Sequence, residues 1–171
     1  MRTRKTFTLI VVFILFASLS FAQSAANDKN NISKIVNYYL DIKNALINDD
    51  GTTAKIKSNE LYELLASDPD KGLNNKQARV MADYLEPLTH NSRMIGETVY
   101  EDEQRHYFAG LTVGLYDMLK EIKMSVPKLY LQYSPLNNSY WLSETQVIKN
   151  PYYNYKEWAT TGKTTEVVNA R

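Results

Sequence analysis

The side chains that most often carry catalysis or metal binding are scarce in this sequence. Of its 171 residues none is cysteine, and only His90 and His106 are histidines. A hydrolase that pairs a nucleophile with a histidine would therefore need one of these two rings. The GxSxG, HExxH and phosphate-binding glycine-loop patterns do not occur. The sequence thus favours a non-enzymatic protein, and a cryptic hydrolase is the weakest alternative.

Carboxylates and histidines give two further candidate sites. The acidic groups at Asp49–Asp50 and at 101–103 fall at predicted helix ends, where capping and the helix macrodipole explain them better than catalysis does. His106, with His90 and a carboxylate, is a candidate residual metal site. An isolated histidine is more often a surface residue or a hydrogen-bonded one, so we expect no metal and no cofactor.

The most unusual stretch is residues 128–162, here called the aromatic segment, which holds six of thirteen tyrosines and both tryptophans. Its first residues alternate, with Leu129 and Leu131 on the side opposite Tyr130, which predicts a short strand ended by Pro135. Turns are predicted at 137–139 and 150–151. We expect the segment to lie on a larger helical body, with a carbohydrate- or peptide-binding surface as an alternative use of its rings.

The N-terminus predicts export. Three basic residues precede an apolar run at 7–21, and Ser20 and Ala22 are small, as a signal peptidase requires. The run is shorter than the roughly 20 residues of a membrane span. We expect residues 1–22 to be a signal peptide cut after Ala22, which places the protein in the periplasm or outside the cell with no stable membrane span. The remainder has 17 basic and 19 acidic residues, which gives no electrostatic case for a nucleic-acid partner.

After a flexible leader at 23–30, helical periodicity predicts four helices. The first begins at 31 and ends near Asp49, the second covers about 52–67, and the fourth covers about 101–124. The third is expected to end or kink at Pro87, and residues 90–100 fit either a helix or a connection. Lys43 interrupts the apolar stripe of the first helix, so its stem should lie along the core while its amine reaches water.

The fourth helix has two distinct faces. One carries large side chains, whereas the other displays Gly110 and Gly114 among small residues. Each glycine costs a helix about 1 kcal/mol relative to alanine, and close approach of another backbone is the usual compensation. We expect the aromatic segment to pack against this small-residue face.

Five stretches in a characteristic order carry a family resemblance: YYLDIKNALINDD (38–50), QRHYFAGL (104–111), LYLQYSPL (129–136), YWLS (140–143) and IKNPYY (148–153). Together, over about 32–168, they resemble the domain of unknown function 3347 family. The resemblance implies an exported bacterial domain, which in some relatives is fused to the adaptor subunit of a heavy-metal efflux pump.

The resemblance also implies where a soft-metal site would lie. Relatives carry Cys and Met where this chain has Ser134 and Leu136, and Met and Cys near Trp158 and Thr161, with a histidine close to His106. Thiolate, thioether and imidazole together suit Cu(I). Because this chain lacks every sulfur ligand, the resemblance implies a degenerate site on a retained scaffold.

The prediction is therefore an α+β, mainly α protein: a bundle of about four helices with a short C-terminal strand pair and aromatic loops packed on one face. Residues 31–168 form a single domain and 169–171 a tail, and the polar stretch 163–171 fits either a last edge strand or a frayed end. The function expected is an exported binding or accessory module that resembles metal-handling domains. Its expected partner is a periplasmic efflux protein or another envelope protein.

Overall fold

Four helices dominate the computed structural model, which describes residues 31–168. The helices are α1 Asn31–Ile47, α2 Gly51–Ser67, α3 Asn75–Glu97 and α4 Glu101–Ile122, and the strands are β1 Leu129–Ser134, β2 Ser139–Ser143 and β3 Lys163–Val168. This confirms the predicted α+β, mainly helical class. The sheet has three strands, because the stretch that begins at Lys163 adds a last edge strand to the expected pair. The signal peptide predicted at 1–22, the leader at 23–30 and the tail at 169–171 lie outside the described residues.

Helix α1 contributes the apolar stripe that its periodicity predicts. Six of its side chains are fully buried in the core shared by the helices and the sheet: Ile32, Ile35, Val36, Tyr39, Ile42 and Leu46. The expectation for Lys43 was wrong, because its amine is buried and ion-paired with Glu144 instead of reaching water. The acidic partner lies about a hundred residues along the chain, so helical periodicity alone could not reveal it.

Side-chain caps explain where α2 and α3 begin. The Asp50 carboxylate accepts a hydrogen bond of 2.8 Å from the backbone N–H of Thr53. At the start of α3, Asn74 and Gln77 form a reciprocal capping box, in which each side chain accepts the other's backbone N–H at 3.1 Å. These bonds satisfy donors that the first turn of a helix leaves free.

Of the two outcomes expected at Pro87, an end of the helix is excluded, because α3 continues to Glu97; a kink there stays a prediction. A proline inside a helix removes one backbone hydrogen bond and costs about 3 kcal/mol. The residues that follow offset this cost, since Leu88, Ser92 and Ile95 are all fully buried. Tertiary packing therefore decides the ambiguous stretch 90–100 largely in favour of helix.

Helix α4 confirms one predicted face and corrects the other. The large side chains are buried, from Gln104 and Phe108 through Ile122. The two glycines of the small-residue face lie against α3 instead of the aromatic segment. A Cβ atom on Gly110 would lie 2.6 Å from Asn91 Oδ1, and one on Gly114 would lie 3.4 Å from Leu88 Cδ2. The glycines do permit close approach, but of a neighbouring helix.

The three strands form an antiparallel sheet in the order β2-β1-β3. Residues on one face include Leu131 and Leu142, which are paired across β1 and β2; Gln132 and Trp141 are paired on the other face. We call these the inner and the outer face, because Glu166, which pairs with Leu131, accepts a hydrogen bond from Tyr116 of α4 at 2.6 Å. At the sheet edge, the backbone N–H of Leu142 donates to the Tyr39 hydroxyl of α1 at 2.9 Å. A bulge in β3 shifts its register against β1 between Leu131 and Gln132.

Residues 144–162, here called the outer loop, connect β2 to β3 and cover the outer face. Trp141 is fully buried, and its ring lies edge-on to Tyr152 at a centroid distance of 6.3 Å. The loop ends at Gly162, where φ is +156° and a Cβ atom would lie 2.8 Å from the Trp141 ring. Glycine is required there by both the backbone conformation and the space. Of the helices within residues 31–168, none is long and apolar enough to cross a membrane.

Candidate functional site

Two of the positions that the family resemblance singled out meet beneath the outer loop. Ser134 is the last residue of β1 and is fully buried on the outer face. Its Oγ accepts a hydrogen bond of 3.0 Å from Asn150 Nδ2, and the same amide nitrogen donates to the carbonyl oxygen of Thr161, also at 3.0 Å. Asn150 therefore brings Ser134 and Thr161 into one hydrogen-bonded cluster.

Asn150 uses its remaining groups to fold the outer loop. Its Oδ1 accepts from the backbone N–H of Tyr152 at 3.0 Å, and its own backbone N–H donates to the carbonyl of Ala159 at 2.7 Å. Only 1% of the residue is exposed, so each of these bonds is made away from water. Sequence reasoning treated Asn150 as a turn residue and assigned it no other role. The signal that could have identified it was its place in the quoted IKNPYY stretch.

The other two positions, Leu136 and Trp158, lie at the surface. Leu136 belongs to the turn between β1 and β2 and is 44% exposed, while Trp158 in the outer loop is 45% exposed. The Trp158 ring is edge-on to Tyr153 at 5.4 Å and to Tyr155 at 5.3 Å. No described hydrogen bond or ring contact joins either residue to Ser134. The backbone N–H of Thr161 donates to the Trp158 carbonyl at 3.0 Å, but the side chains of Leu136 and Trp158 face solvent.

His106 lies on α4 and takes part in a different set of contacts. Its ring is exposed and lies edge-on to Tyr107 at 5.1 Å, and the ring of His90 on α3 lies 6.3 Å from the same tyrosine. Residues 31–168 contain no group of three or more histidine, aspartate or glutamate side chains arranged to hold a metal ion. The two histidines therefore share an aromatic neighbour, but no described contact links His106 with Ser134 or Thr161.

Arg105, the residue before His106, makes the contacts that sequence reasoning did not foresee. Its guanidinium is buried and donates to the carbonyl oxygens of Pro151 at 3.0 Å and Leu46 at 3.1 Å. It also forms ion pairs with Asp49 and, at 3.3 Å, with Asp102. A guanidinium presents several donors in a fixed plane, so one side chain fastens α1, α4 and the outer loop together. This arginine lies in the QRHYFAGL stretch, directly before the histidine that the family resemblance singled out.

A second charged contact fastens the start of the outer loop. The Glu144 carboxylate accepts from the Lys43 amine and, at 3.3 Å, from Asn44 Nδ2. Burial lowers the pKa of Lys43, although the ion pair opposes that shift. For Glu144 burial favours the neutral acid, but the hydrogen bond from Lys43 and its charge outweigh that effect and lower the pKa. Glu144 is therefore ionised at neutral pH, and its negative charge favours the protonated amine of Lys43.

A buried chain of hydroxyls connects the sheet to the helices. The Tyr39 hydroxyl accepts from the N–H of Leu142 and lies 2.8 Å from Thr112 Oγ, which donates to the carbonyl of Phe108 at 3.0 Å. Burial raises the pKa of Tyr39 well above its ordinary value, and burial does the same for Tyr152. Both phenols are neutral at physiological pH, so they serve as hydrogen-bonding groups.

Comparison with known proteins gives a family and no functional relative. No curated protein and no solved structure matches the chain. The family model described as protein of unknown function (DUF3347) matches residues 35–126, which is more than half of the chain and includes His106. The match ends before β1, so the correspondences at Ser134, Leu136, Trp158 and Thr161 depend on the resemblance of the later stretches alone. The helices from α1 to α4 identify the chain as a member of the DUF3347 family.

Proposed function

We propose that this protein is a non-enzymatic, exported binding or accessory module whose soft-metal site has been replaced by a structural contact. The observation that carries the proposal is the Asn150 amide, which bonds both Ser134 and Thr161 at 3.0 Å. At two positions where the resemblance implies thiolate ligands, this chain has a hydroxyl group and a backbone carbonyl engaged with the same side chain.

Ligand chemistry supports this interpretation. Thiolate and thioether sulfur select Cu(I), whereas hydroxyl oxygen is a poor ligand for it. Ser134 Oγ is also buried and already hydrogen-bonded, so a metal would have to displace the Asn150 amide. Leu136 and Trp158 offer no donor of the required kind. The positions that remain are therefore better suited to holding the outer loop than to holding a metal.

The cellular setting is part of the same proposal. The basic start, the apolar run and the small residues at Ser20 and Ala22 support export and a mature chain that begins at Gln23. In such a setting the module would act beside a periplasmic efflux protein or another envelope protein. A module without metal ligands would contribute to such an assembly by binding, not by passing the ion on.

A Cu(I) competition assay tests the proposal. The unmodified protein, mixed with a tight Cu(I) chelator, is expected to remove no stoichiometric Cu(I). The triple variant Ser134→Cys, Leu136→Met, Thr161→Cys restores three of the four implied sulfur groups and is expected to gain measurable affinity. A matched control carries Thr160→Cys in place of Thr161→Cys, because Thr160 is an exposed neighbour outside the cluster.

Tight binding by the unmodified protein would contradict the proposal. A folded triple variant no better than its control would contradict the assignment of the site.

One observation favours a second candidate, a carbohydrate- or peptide-binding surface. Tyr153, Tyr155 and Trp158 form a ring cluster on the outer loop, in which Tyr155 is 68% exposed. Exposed aromatic clusters often mark binding surfaces. Intrinsic fluorescence tests it, since Trp141 is buried and Trp158 is exposed. A saturable emission change with a soluble oligosaccharide or peptide, absent in Trp158→Ala, would support this candidate; equal changes in both proteins would exclude this cluster.

A further inference from the structure

A groove of about 380 Å³ lies between α4 and the inner face of the sheet. Its helix side is formed by Val113, Tyr116 and Asp117, and its sheet side by Leu131, Tyr140 and Glu166. The outer loop does not fill it, because that loop covers the opposite face of the sheet. Small-molecule sites in proteins are commonly clefts of about 300–1,000 Å³, so the groove has room for a small ligand.

The walls of the groove expose apolar surface on two facing elements. Val113 is 53% exposed on the helix, and Tyr140 is 40% exposed on β2. Leu131 is buried between them in the central strand. Exposed apolar side chains occur singly on most proteins, but here two of them border one concavity with a buried leucine in its lining. This arrangement suits the apolar body of a ligand.

The groove carries two carboxylates, and only one of them has a cationic partner among the described residues. Glu166 on β3 accepts from the Tyr116 hydroxyl and from the Lys120 amine, each at 2.6 Å. The bonds from Lys120 and Tyr116 lower the pKa of Glu166, so it is ionised at neutral pH. Asp117 lies across the groove on α4 and forms no ion pair among the residues that the structure describes. The groove therefore retains one negative charge without a cationic partner.

We propose that this groove binds a small organic monoamine, with an apolar body between Val113 and Tyr140 and its ammonium group at Asp117. The apolar walls provide burial, and the carboxylate distinguishes a cation from a neutral molecule of the same shape. Leu131 and Ser134 have opposite parity in β1, so the groove and the Ser134 cluster lie on opposite faces of the sheet. The two proposals can therefore be tested separately.

The test uses 2-phenylethylamine as the probe and 2-phenylethanol as its neutral analogue, titrated into the 15N-labelled mature protein. We expect saturable amide shifts confined to α4 and the three strands, with Kd on the order of 1 mM as is usual for so small a ligand. The alcohol should bind at least fivefold more weakly. Asp117→Asn should reduce amine affinity to about that of the alcohol, and Val113→Arg should abolish binding of both.

Two control variants separate loss of the groove from general effects of substitution. Asp83→Asn removes an exposed carboxylate on α3, and Ile56→Arg places arginine at a half-exposed apolar position on α2. Both should bind the amine as the unmodified protein does. Absence of saturable shifts, shifts that map elsewhere, or equal affinity in Asp117→Asn and Asp83→Asn would overturn the proposal. Retained binding in Val113→Arg, with its amide spectrum otherwise native, would do so as well.

Discussion

Ser134 Oγ and Asn150 Nδ2 are 3.0 Å apart, and both residues are buried between the sheet and the outer loop. Ser134 ends the central strand, while Asn150 lies sixteen residues later in the loop that returns over that strand. The bond therefore joins the regular and the irregular parts of the aromatic segment. Because Asn150 also bonds the Thr161 carbonyl and the Tyr152 N–H, one amide side chain determines the path of the outer loop.

Replacing Asn150 should destabilise the protein. Asn150→Ala leaves Ser134 Oγ, the Thr161 carbonyl and the Tyr152 N–H without their partner, which should lower the free energy of unfolding by roughly 2–4 kcal/mol. Asn150→Asp should not restore the lost stability, since a carboxylate cannot donate to the Thr161 carbonyl. Urea unfolding gives the free energy of unfolding of both Asn150 variants, with Asn154→Ala in the exposed part of the loop as the control. A loss below about 0.5 kcal/mol, as expected for an ordinary surface change, would show that the bond does not hold the loop.

The two glycines of α4 should respond differently to alanine. At Gly114 the new methyl group would lie 3.4 Å from Leu88, which is ordinary contact, so improved helix propensity should leave stability equal or raise it by up to about 1 kcal/mol. At Gly110 the methyl group would lie 2.6 Å from Asn91 Oδ1. The Asn91 side chain would have to move and give up its 2.7 Å bond to the Pro87 carbonyl. We expect Gly110→Ala to destabilise and Gly114→Ala not to.

A double-mutant cycle identifies the cause of the Gly110 effect. In an Asn91→Ala background the obstructing amide is absent, so adding Gly110→Ala should cost nothing further. Thermal unfolding of the four proteins provides the comparison. If Gly110→Ala cost the same with and without Asn91, the clash with the Asn91 side chain would not be its cause.

Gly114→Leu should destabilise by about 1–3 kcal/mol through overpacking against Leu88 and Pro87.

Local and periodic features were predictable from the sequence because they depend on neighbouring residues. The stripe of α1, the buried arc of α4 and the strand that ends before Pro135 all follow from spacing or from proline geometry. The sequence left the third strand open, because the polar stretch from Lys163 fits either an edge strand or a frayed end. Its sequence, KTTEVV, is mostly polar and exposed, and a bulge interrupts its register, so no apolar alternation marks it.

Features that depend on distant residues were missed or misplaced. Lys43 is satisfied by Glu144, and Gly110 and Gly114 approach α3 instead of the aromatic segment. Helical spacing gives the face on which a residue lies, but it does not give the element that meets that face. At the candidate site, the motif resemblance located Ser134 and Thr161. The bond that joins them comes from Asn150, whose amide role depends on the folded path of the outer loop.

The N-terminal sequence predicts a defined mature protein. Cleavage after Ala22 would remove the basic and apolar segment, so the exported chain should begin at Gln23. Intact-mass measurement on protein recovered from the periplasm or the medium checks this directly. Enlarging Ala22 to a residue that a signal peptidase does not accept, as in Ala22→Leu, should leave uncleaved precursor. Exported protein that retained residues 1–22 would contradict the prediction.

The Lys43–Glu144 ion pair should make part of the stability dependent on pH. Because the pKa of Glu144 in the folded protein lies below its ordinary value near 4.5, its contribution is present above that value and is lost as the pH falls through the folded pKa. At pH 7, Glu144→Gln should lower the free energy of unfolding by on the order of 1 kcal/mol, because the buried Lys43 loses its counter-charge while Glu144 itself is partly exposed. As the pH falls below 4.5 and through the folded pKa, the difference should shrink, since Glu144 becomes protonated in the unmodified protein. Urea unfolding from pH 7 to pH 3 measures the effect, with Glu157→Gln in the exposed loop as the control. A difference between the unmodified and Glu144→Gln proteins that stayed constant from pH 7 to pH 3 would mean that the carboxylate acts through packing and not through its charge.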